Sequence, residues 1–385
     1  MPNYTVRKVK LEKTEQLDIL ARASGKLYSQ TLVSFWRTVR KKGIWMSGYS
    51  MERWQISPLL HAHSSDAVTQ CFFASLKSWR KRRKTDPSSK PPRRRRWFFK
   101  LIWKSAAIKL KGNKLRLSNG KGNEPLIVNW RWQKPKQIEL GWNKASQCYE
   151  LRACYTSESV KSVESNGVAG CDLGEIHPMV IADGVNTTIF NGRLLRSKRR
   201  YQNKLKGKLS KLIDTKKRGS KRGKQLIKTK QKQLAKVKNQ IKDIEHKLTS
   251  KAVSMLKEKN IQTLVIGDVR DIRKSINYGK KNNQKLHQWN FGSTRHKLEY
   301  KCARVGISTL LETEEYTSQE CLSCRKRNKP KNRNYRCSCG FKFHRDGVGS
   351  NNIRAKYLGA APVVGLMASP SGVRFQTHLQ CNPVA

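Results

Sequence analysis
Leu311–Ile353 reads LETEEYTSQECLSCRKRNKPKNRNYRCSCGFKFHRDGVGSNNI, and it decides more about this chain than any other stretch. Cys321 and Cys324 form a C-x2-C pair, and after a twelve-residue loop Cys337 and Cys339 form a C-x-C pair. Four thiolates offered by two short hairpin-like pairs suit tetrahedral Zn²⁺, which prefers soft sulfur and imposes no ligand-field geometry. Asp346 follows the last cysteine closely, so a folded knuckle must fix where that carboxylate points. His344 is expected to pack nearby rather than to add a fifth ligand.

The remaining cysteines are dispersed and suggest no disulfide framework. MPNYTVRKVKLEK carries no apolar run, so no secretory signal or oxidising compartment is expected. The four clustered thiols therefore read as metal ligands. The cytoplasm, where thiols stay reduced, is the expected location.

Lys and Arg number 82 against 26 Asp and Glu, a formal net charge of +56. Self-repulsion at that charge calls for a polyanion. No apolar run is long enough to span a membrane. Ten Trp and eleven Tyr add stacking surfaces, which suits nucleic acid better than lipid. A purely RNA-binding, ribosomal-type chain would also explain the charge, but not the few well-placed acids.

Residues 3–12 alternate as a strand, and Thr14–Lys41 turns helical with Leu17, Leu20, Leu27, Leu32 and Phe35 in register. A second helix is expected over Ser65–Arg80, capped by Ser64-Ser65-Asp66. It runs into RKRRKTDPSSKPPRRRRWFFK, residues 80–100, a Pro/Ser-broken basic loop whose Arg80, Arg82, Arg83, Arg93, Arg94, Arg95 and Arg96 are candidate phosphate contacts. Short alternating runs over 98–157 suggest a small β-barrel or sandwich, joined by strand 3–12, with the helical block inserted between strands. Residues 165–192 read as three strands with tight turns. A long cationic helical hairpin follows, its second arm carrying Ile227, Leu234, Val237, Ile241, Ile244 and Leu248. TLVIGD (263–268), a polar loop at 274–284, a helix near 292–305 and ISTLLE (307–312) come next. A helix is expected from about Gly349, and the tail from Leu358 is expected to be poorly ordered.

Asp172 ends the apolar strand of VAGCDLG, where an unpaired buried carboxylate would be costly. A two-metal phosphodiesterase gathers three or four carboxylates around ions about 3.5–4 Å apart. Acids at the ends of strands in this order match an RNase H-like arrangement, so Asp172 and Asp346 are read together as metal ligands.

GVAGCDLG, LVIGDV, EEYTSQECLSC with CSCG, and HRDGVGSNNI closely resemble the TnpB/OrfB family of insertion sequences, relatives of type V CRISPR effectors and of Fanzor proteins. The resemblance runs to about residue 357. It implies an α+β multidomain protein: a β-barrel wedge domain (1–13 and 98–160) with an inserted helical recognition domain (14–97). A RuvC-like nuclease domain (161–314 and 346–357, with the basic hairpin at 193–257) would hold a zinc ribbon (315–345), leaving the tail 358–385. It further implies guide RNA and double-stranded DNA as partners, one protein copy in the ribonucleoprotein, structural Zn²⁺, two catalytic Mg²⁺ and a prokaryotic, nucleoid-associated location in the cytoplasm. Asp172 would be the first acid and Asp346 the last.

Two positions depart from the pattern. The family's usual middle glutamate stands where this chain has Gly267, and Asp268 should face away because strand side chains alternate. Some relatives carry a relocated glutamate nearer the zinc ribbon, and here Glu312, Glu314 and Glu315 precede Thr317-Ser318. Glu314 is the favoured third acid, with Glu312 and Glu315 as alternatives. Val348 and Gly349 also replace the more usual Asn-Ala, read as a subgroup feature. The leading function is an RNA-guided DNA endonuclease cutting beside a short adjacent motif. The alternatives are a nuclease-dead guided repressor, a transposase or transposition accessory protein, and a zinc-ribbon RNA binder without enzymology.

Overall fold
The computed structural model describes residues 3–95, 98–157, 165–270, 277, 279–359 and 373–376, in two compact units that divide after Ser157. Among the described residues no helix is long and apolar enough to cross a membrane.

The first unit begins with β1 (Asn3–Leu11), followed by α1 (Glu15–Lys42), the short α2 (Gly48–Glu52) and α3 (Ala62–Arg83). It continues through β2 (Leu101–Lys104), β3 (Ile108–Lys111), β4 (Lys114–Leu117), β5 (Leu126–Asn129), β6 (Gln137–Asn143) and β7 (Cys148–Ser157). Two antiparallel sheets result, ordered β1-β7-β6-β2 and β3-β4-β5. Thr14 caps α1 by accepting from the Leu17 N–H, and Gly43 closes it in the left-handed conformation at φ 66°. The apolar face of α1 meets Phe72, Leu76 and Trp79 of α3 and the sheet residues Trp103, Leu140, Tyr149 and Leu151 in one core. Tyr149 Oη donates to Asp18 Oδ1 at 2.7 Å, tying α1 to β7.

The α3 helix starts earlier than its sequence suggests. His61, not the Ser64-Ser65-Asp66 run, is the cap, and both serines are buried inside the first turn. The basic end also stays helical as far as Arg83, where cations favour the helix C-terminus.

The second unit opens with the antiparallel meander β8 (Gly167–Asp172), β9 (Met179–Ala182) and β10 (Thr187–Phe190). The helices α4 (Arg193–Asp214) and α5 (Lys221–Glu258) precede β11 (Ile261–Asp268), then α6 (Gly279–Gln288), α7 (Phe291–Ala303) and β12 (Ser308–Thr313). The hairpin β13 (Asn334–Arg336) and β14 (Lys342–His344) leads into α8 (Arg345–Leu358), and β15 (Val373–Gln376) follows. One six-stranded sheet has the order β12-β11-β8-β9-β10-β15, with β11 parallel to β8, β12 parallel to β11, and β15 parallel to β10.

Three differences from the sequence reading have physical causes. The polar segment expected to be a loop at 274–284 contributes the start of α6. The tail expected to be unstructured supplies β15, because β10 presents an edge it can pair with. The apolar repeat of α5 is buried only from Val237 onward, while Ile227 remains 42% exposed. A buried network crosses α4, α5 and α7: Glu245 accepts from Arg199 at 2.6 Å and from Lys297 at 2.5 Å, and Arg199 lies over Trp289.

Candidate active site and cysteine metal centre
The four cysteines Cys321, Cys324, Cys337 and Cys339 present sulfurs within 4.8 Å of one another. Cys321 and Cys339 are separated by 3.7 Å and Cys324 and Cys337 by 3.5 Å, close to the about 3.8 Å between corners of a tetrahedron with Zn–S bonds of about 2.3 Å. Backbone N–H groups point at the sulfurs, as Ser323 N does toward Cys321 Sγ at 3.4 Å. The Cys339 N–H pulls the Cys337 thiol down to about 6, favouring the thiolate that binds metal. The cluster can hold a metal ion.

This module fixes the start of α8. Val348 shares a small core with Cys321, Leu322, Tyr335 and Phe341. Asn352 Nδ2 donates to the carbonyls of Thr317 and Glu320 at 2.7 and 2.8 Å, which gives the SNN motif its role. Helix α8 begins at Arg345 rather than near Gly349, so Asp346 lies in its first turn, where a carboxylate is favoured.

Asp172 ends β8, Glu314 follows β12, and Asp346 opens α8. Gly267 pairs with Glu312 across β11 and β12, yet the carboxylate standing over Gly267 is that of Glu314. A Cβ at 267 would lie 2.1 Å from Glu314 Oε1 and 2.5 Å from its Cγ. Glycine there is a requirement of close approach, since any other side chain would occupy the volume that Glu314 fills. Glu312 instead accepts from the Thr313 N–H at 2.9 Å, and Glu315 is exposed. Asp268 is taken up by Arg270, which it accepts from with both oxygens.

Asp172 feels the Asp346 carboxylate, and Glu314 in turn feels Asp172. Burial, then the Asp346 carboxylate, pushes Asp172 up to about 7 against the pull of Arg345 and Arg333. Burial, then Asp172 and Asp268, pushes Glu314 up to about 9. Its Oε1 is buried without a hydrogen-bond partner, an expensive arrangement that a cation would relieve. Asp346 goes the other way. Burial works against its charge, but hydrogen-bonded His177, then Arg333, His344 and Arg345, hold it down to about 2. Gly349 admits Asp172 against α8, with its Cβ position 3.1 Å from Asp172 Oδ2. The departure from Asn-Ala thus has a steric correlate.

Sequence reasoning missed His177 and Arg333. His177 Nδ1 lies 2.9 Å from Asp346 Oδ2, and Arg333, reaching out of the cysteine module, donates to the same oxygen. GEIHP, in the turn after Asp172, and the basic knuckle loop gave no spacing signal, because their meeting depends on packing. His344, expected near the thiols, sits with Asp346, its ring 5.2 Å from that of His177 and tilted 59° to it.

The candidate phosphate contacts are not equivalent. Arg80 lies over Trp45 at 4.9 Å, Arg83 over Trp79 at 5.3 Å, and Arg95 over Tyr28 and Phe99. Arg93 and Arg94 are exposed, and Arg82, Arg93 and Arg95 line a cavity of about 550 Å³. Arg96 lies outside the described residues.

Residues 147–273 match the family model OrfB_IS605, described as a probable transposase, and residues 291–353 match the Cas12f1-like TNB domain. No curated protein matches the chain by sequence. Among solved structures, the Cas12f1–sgRNA–target DNA complex is 13% identical, with 88% of this chain and 81% of that chain covered at a TM-score of 0.60. The mini-RNA-guided endonuclease CRISPR-Cas_phi3 is 9% identical over 96% and 93% of the two chains, at a TM-score of 0.47. The fold is thus that of a mixed α/β, multidomain protein resembling Cas12f. The two family matches make the chain similar to TnpB-like proteins over residues 147–273 and 291–353.

Proposed function
We propose that this chain is an RNA-guided DNA endonuclease of a transposable element, hydrolysing phosphodiester bonds of target DNA beside a short adjacent motif. The observation that carries the reading is Glu314 seated over Gly267 beside Asp172, with Oε1 buried and unpartnered. In this reading residues 161–314 and 346–357 form a RuvC-like nuclease domain, with Asp172, Glu314 and Asp346 as its Mg²⁺ ligands. Two ions bound there would supply Lewis acidity and an activated water. Arg333 and Arg345 offset negative charge around Asp346, and Gly349 leaves room for the Asp172 carboxylate. Cys321, Cys324, Cys337 and Cys339 would hold structural Zn²⁺ in a ribbon spanning 315–345.

The remaining assignments are a barrel-like wedge domain (1–13 and 98–160), a helical recognition domain (14–97) and a basic hairpin (193–257). Guide RNA and double-stranded DNA as partners are supported by the net charge of +56 and by the neighbour captured with sgRNA and target DNA. Base pairing would read sequence while the protein holds the backbone. One protein copy in a prokaryotic, cytoplasmic ribonucleoprotein is the working unit of this proposal.

The test is cleavage of a guide-matched duplex with Mg²⁺ or Mn²⁺. Asp172→Ala, Asp346→Ala and Glu314→Gln should each abolish cutting and leave guide and target binding nearly intact. Wild-type rates in any of the three would remove that residue from the centre. A wild type that binds its target but never cuts would make the chain a guided repressor.

A further inference from the structure
His177, His344 and Asp346 present ligand atoms within 4.8 Å of one another, and His177 and Asp346 are buried. His177 Nδ1 and Asp346 Oδ2 are 2.9 Å apart, near the about 3.0 Å between adjacent corners of an octahedron with bonds of about 2.1 Å. The Arg333 Nη1 group approaches both atoms, donating to Asp346 Oδ2 and lying 3.2 Å from His177 Nδ1. The two contacts of Nδ1 exclude each other: protonated, it donates to Asp346, and with the ring proton on Nε2 it accepts from the guanidinium, which has no lone pair. In the second tautomer an imidazole nitrogen and a carboxylate oxygen converge on one cationic group.

We propose that His177, His344 and Asp346 form a nitrogen-rich metal site, selective for divalent ions of the Co²⁺, Ni²⁺ and Zn²⁺ class over Mg²⁺, with the Arg333 guanidinium in the cation's place until metal enters. Imidazole suits these borderline ions, whereas Mg²⁺ takes oxygen ligands and gives up its water reluctantly. The three residues come from the β8–β9 turn, the end of β14 and the first turn of α8, so the site is preorganised by the fold. It shares Asp346 with the proposed nuclease centre, but binding there does not require the chain to cut DNA.

The experiment is a Co²⁺ titration of full-length protein already loaded with one Zn²⁺ per chain, followed by absorption. Wild type should take up one further Co²⁺, show d–d bands without thiolate charge transfer, and keep the ion in a large excess of Mg²⁺. His177→Ala and His344→Ala should each weaken that binding by at least about tenfold, since even residues that only orient metal ligands are worth about 10–100-fold. Arg333→Ala, which removes the competing cation, should tighten it. Melting temperature and retained Zn²⁺ establish that each variant is folded, and the Arg333→Ala arm stands alone if both histidine variants unfold. The proposal is overturned by a wild type that takes up no Co²⁺ beside its Zn²⁺, by ready displacement with Mg²⁺, by folded histidine variants that bind equally well, or by Arg333→Ala that binds more weakly. Co²⁺ binding in a chain that never cleaves guide-matched DNA with Mg²⁺ alone would count against the nuclease reading alone, whereas Mg²⁺-dependent cleavage without a Co²⁺ site would count against this one alone.

Discussion

The cysteine module and the acid cluster adjoin each other in the second unit, yet they are built in opposite ways. The four thiols lie between Cys321 and Cys339 on a short hairpin, so their meeting is a local event that needs only a turn and a metal. The acids come from β8, the residue after β12 and the first turn of α8, and they meet only when the whole sheet is in register. Local sites tolerate change elsewhere in the fold, while non-local sites depend on every element that delivers a ligand. Glu314 shows this dependence most sharply, because its place exists only while position 267 has no side chain.

The most severe way to break the comparison is therefore at Gly267. Gly267→Ala should evict the Glu314 carboxylate and abolish cleavage without unfolding the chain, since the atoms met belong to a movable side chain. Gly267→Glu combined with Glu314→Ala should recover part of the activity by returning the acid to β11. Cleavage by Gly267→Ala at the wild-type rate would show that the carboxylate over this glycine is not used.

Removing zinc should act on the other region. A strong chelator should unfold 315–345, read as lost amide protection, because structural zinc contributes about 10–16 kcal/mol in small zinc modules. The loss should spread to Asp346 through Val348 and Asn352, while β8–β10 keep their protection. Protection around Cys321–Cys339 that survives complete zinc removal would refute the structural role.

The basic loop is a local run that packing has divided. Arg93→Ala and Arg94→Ala should each lower the slope of log affinity against log salt by about one, with no change in stability. Arg95→Ala should also lower the melting temperature, since that side chain covers Tyr28 and Phe99. A common effect of all three would show that the aromatic contacts do not matter.

The smallest effect is on pH dependence. Asp172 near 7 and Glu314 near 9 lie above their unfolded values of about 3.9 and 4.3, so the folded chain binds more protons between about pH 4 and 9. Without divalent ions their contribution to stability should fall as pH rises through that window. Asp346, near 2, has the opposite sign and adds stability above about pH 4, which is lost as pH falls toward 2. Melting temperatures of wild type and Glu314→Gln from pH 5 to 9 isolate the effect. The variant should lose less stability toward pH 9, and Mg²⁺ should stabilise wild type more at pH 9 than at pH 5. Parallel curves would show that Glu314 does not bind a proton in the folded state.

Legibility followed the same division. The helix α1, with its Thr14 cap and apolar face, and the alternation of β4, β5 and β6 were readable because capping and period-two burial act over a few residues. The start of α3 was misread because His61, a less usual cap, leaves the serines free to be buried. Helix α8 starts before Gly349 because Gly347 and Gly349 sit in a closely packed helix, Gly349 against Asp172 of β8 and Gly347 against Phe343 and Thr187.

By itself the sequence determined the thiol set, the two aspartates, the basic character and the strand and helix periods, all of which are carried by neighbouring residues. Tertiary structure decided which glutamate stands over Gly267, that Asp268 belongs to Arg270, and that His177 and Arg333 share the Asp346 carboxylate. It also decided that the tail lends a strand to β10. The physical reason is range. Periodicity, capping and ligand spacing are fixed by bonds a few residues apart, whereas a buried polar site is fixed by which side chains are left to satisfy one another when sheet and helix close.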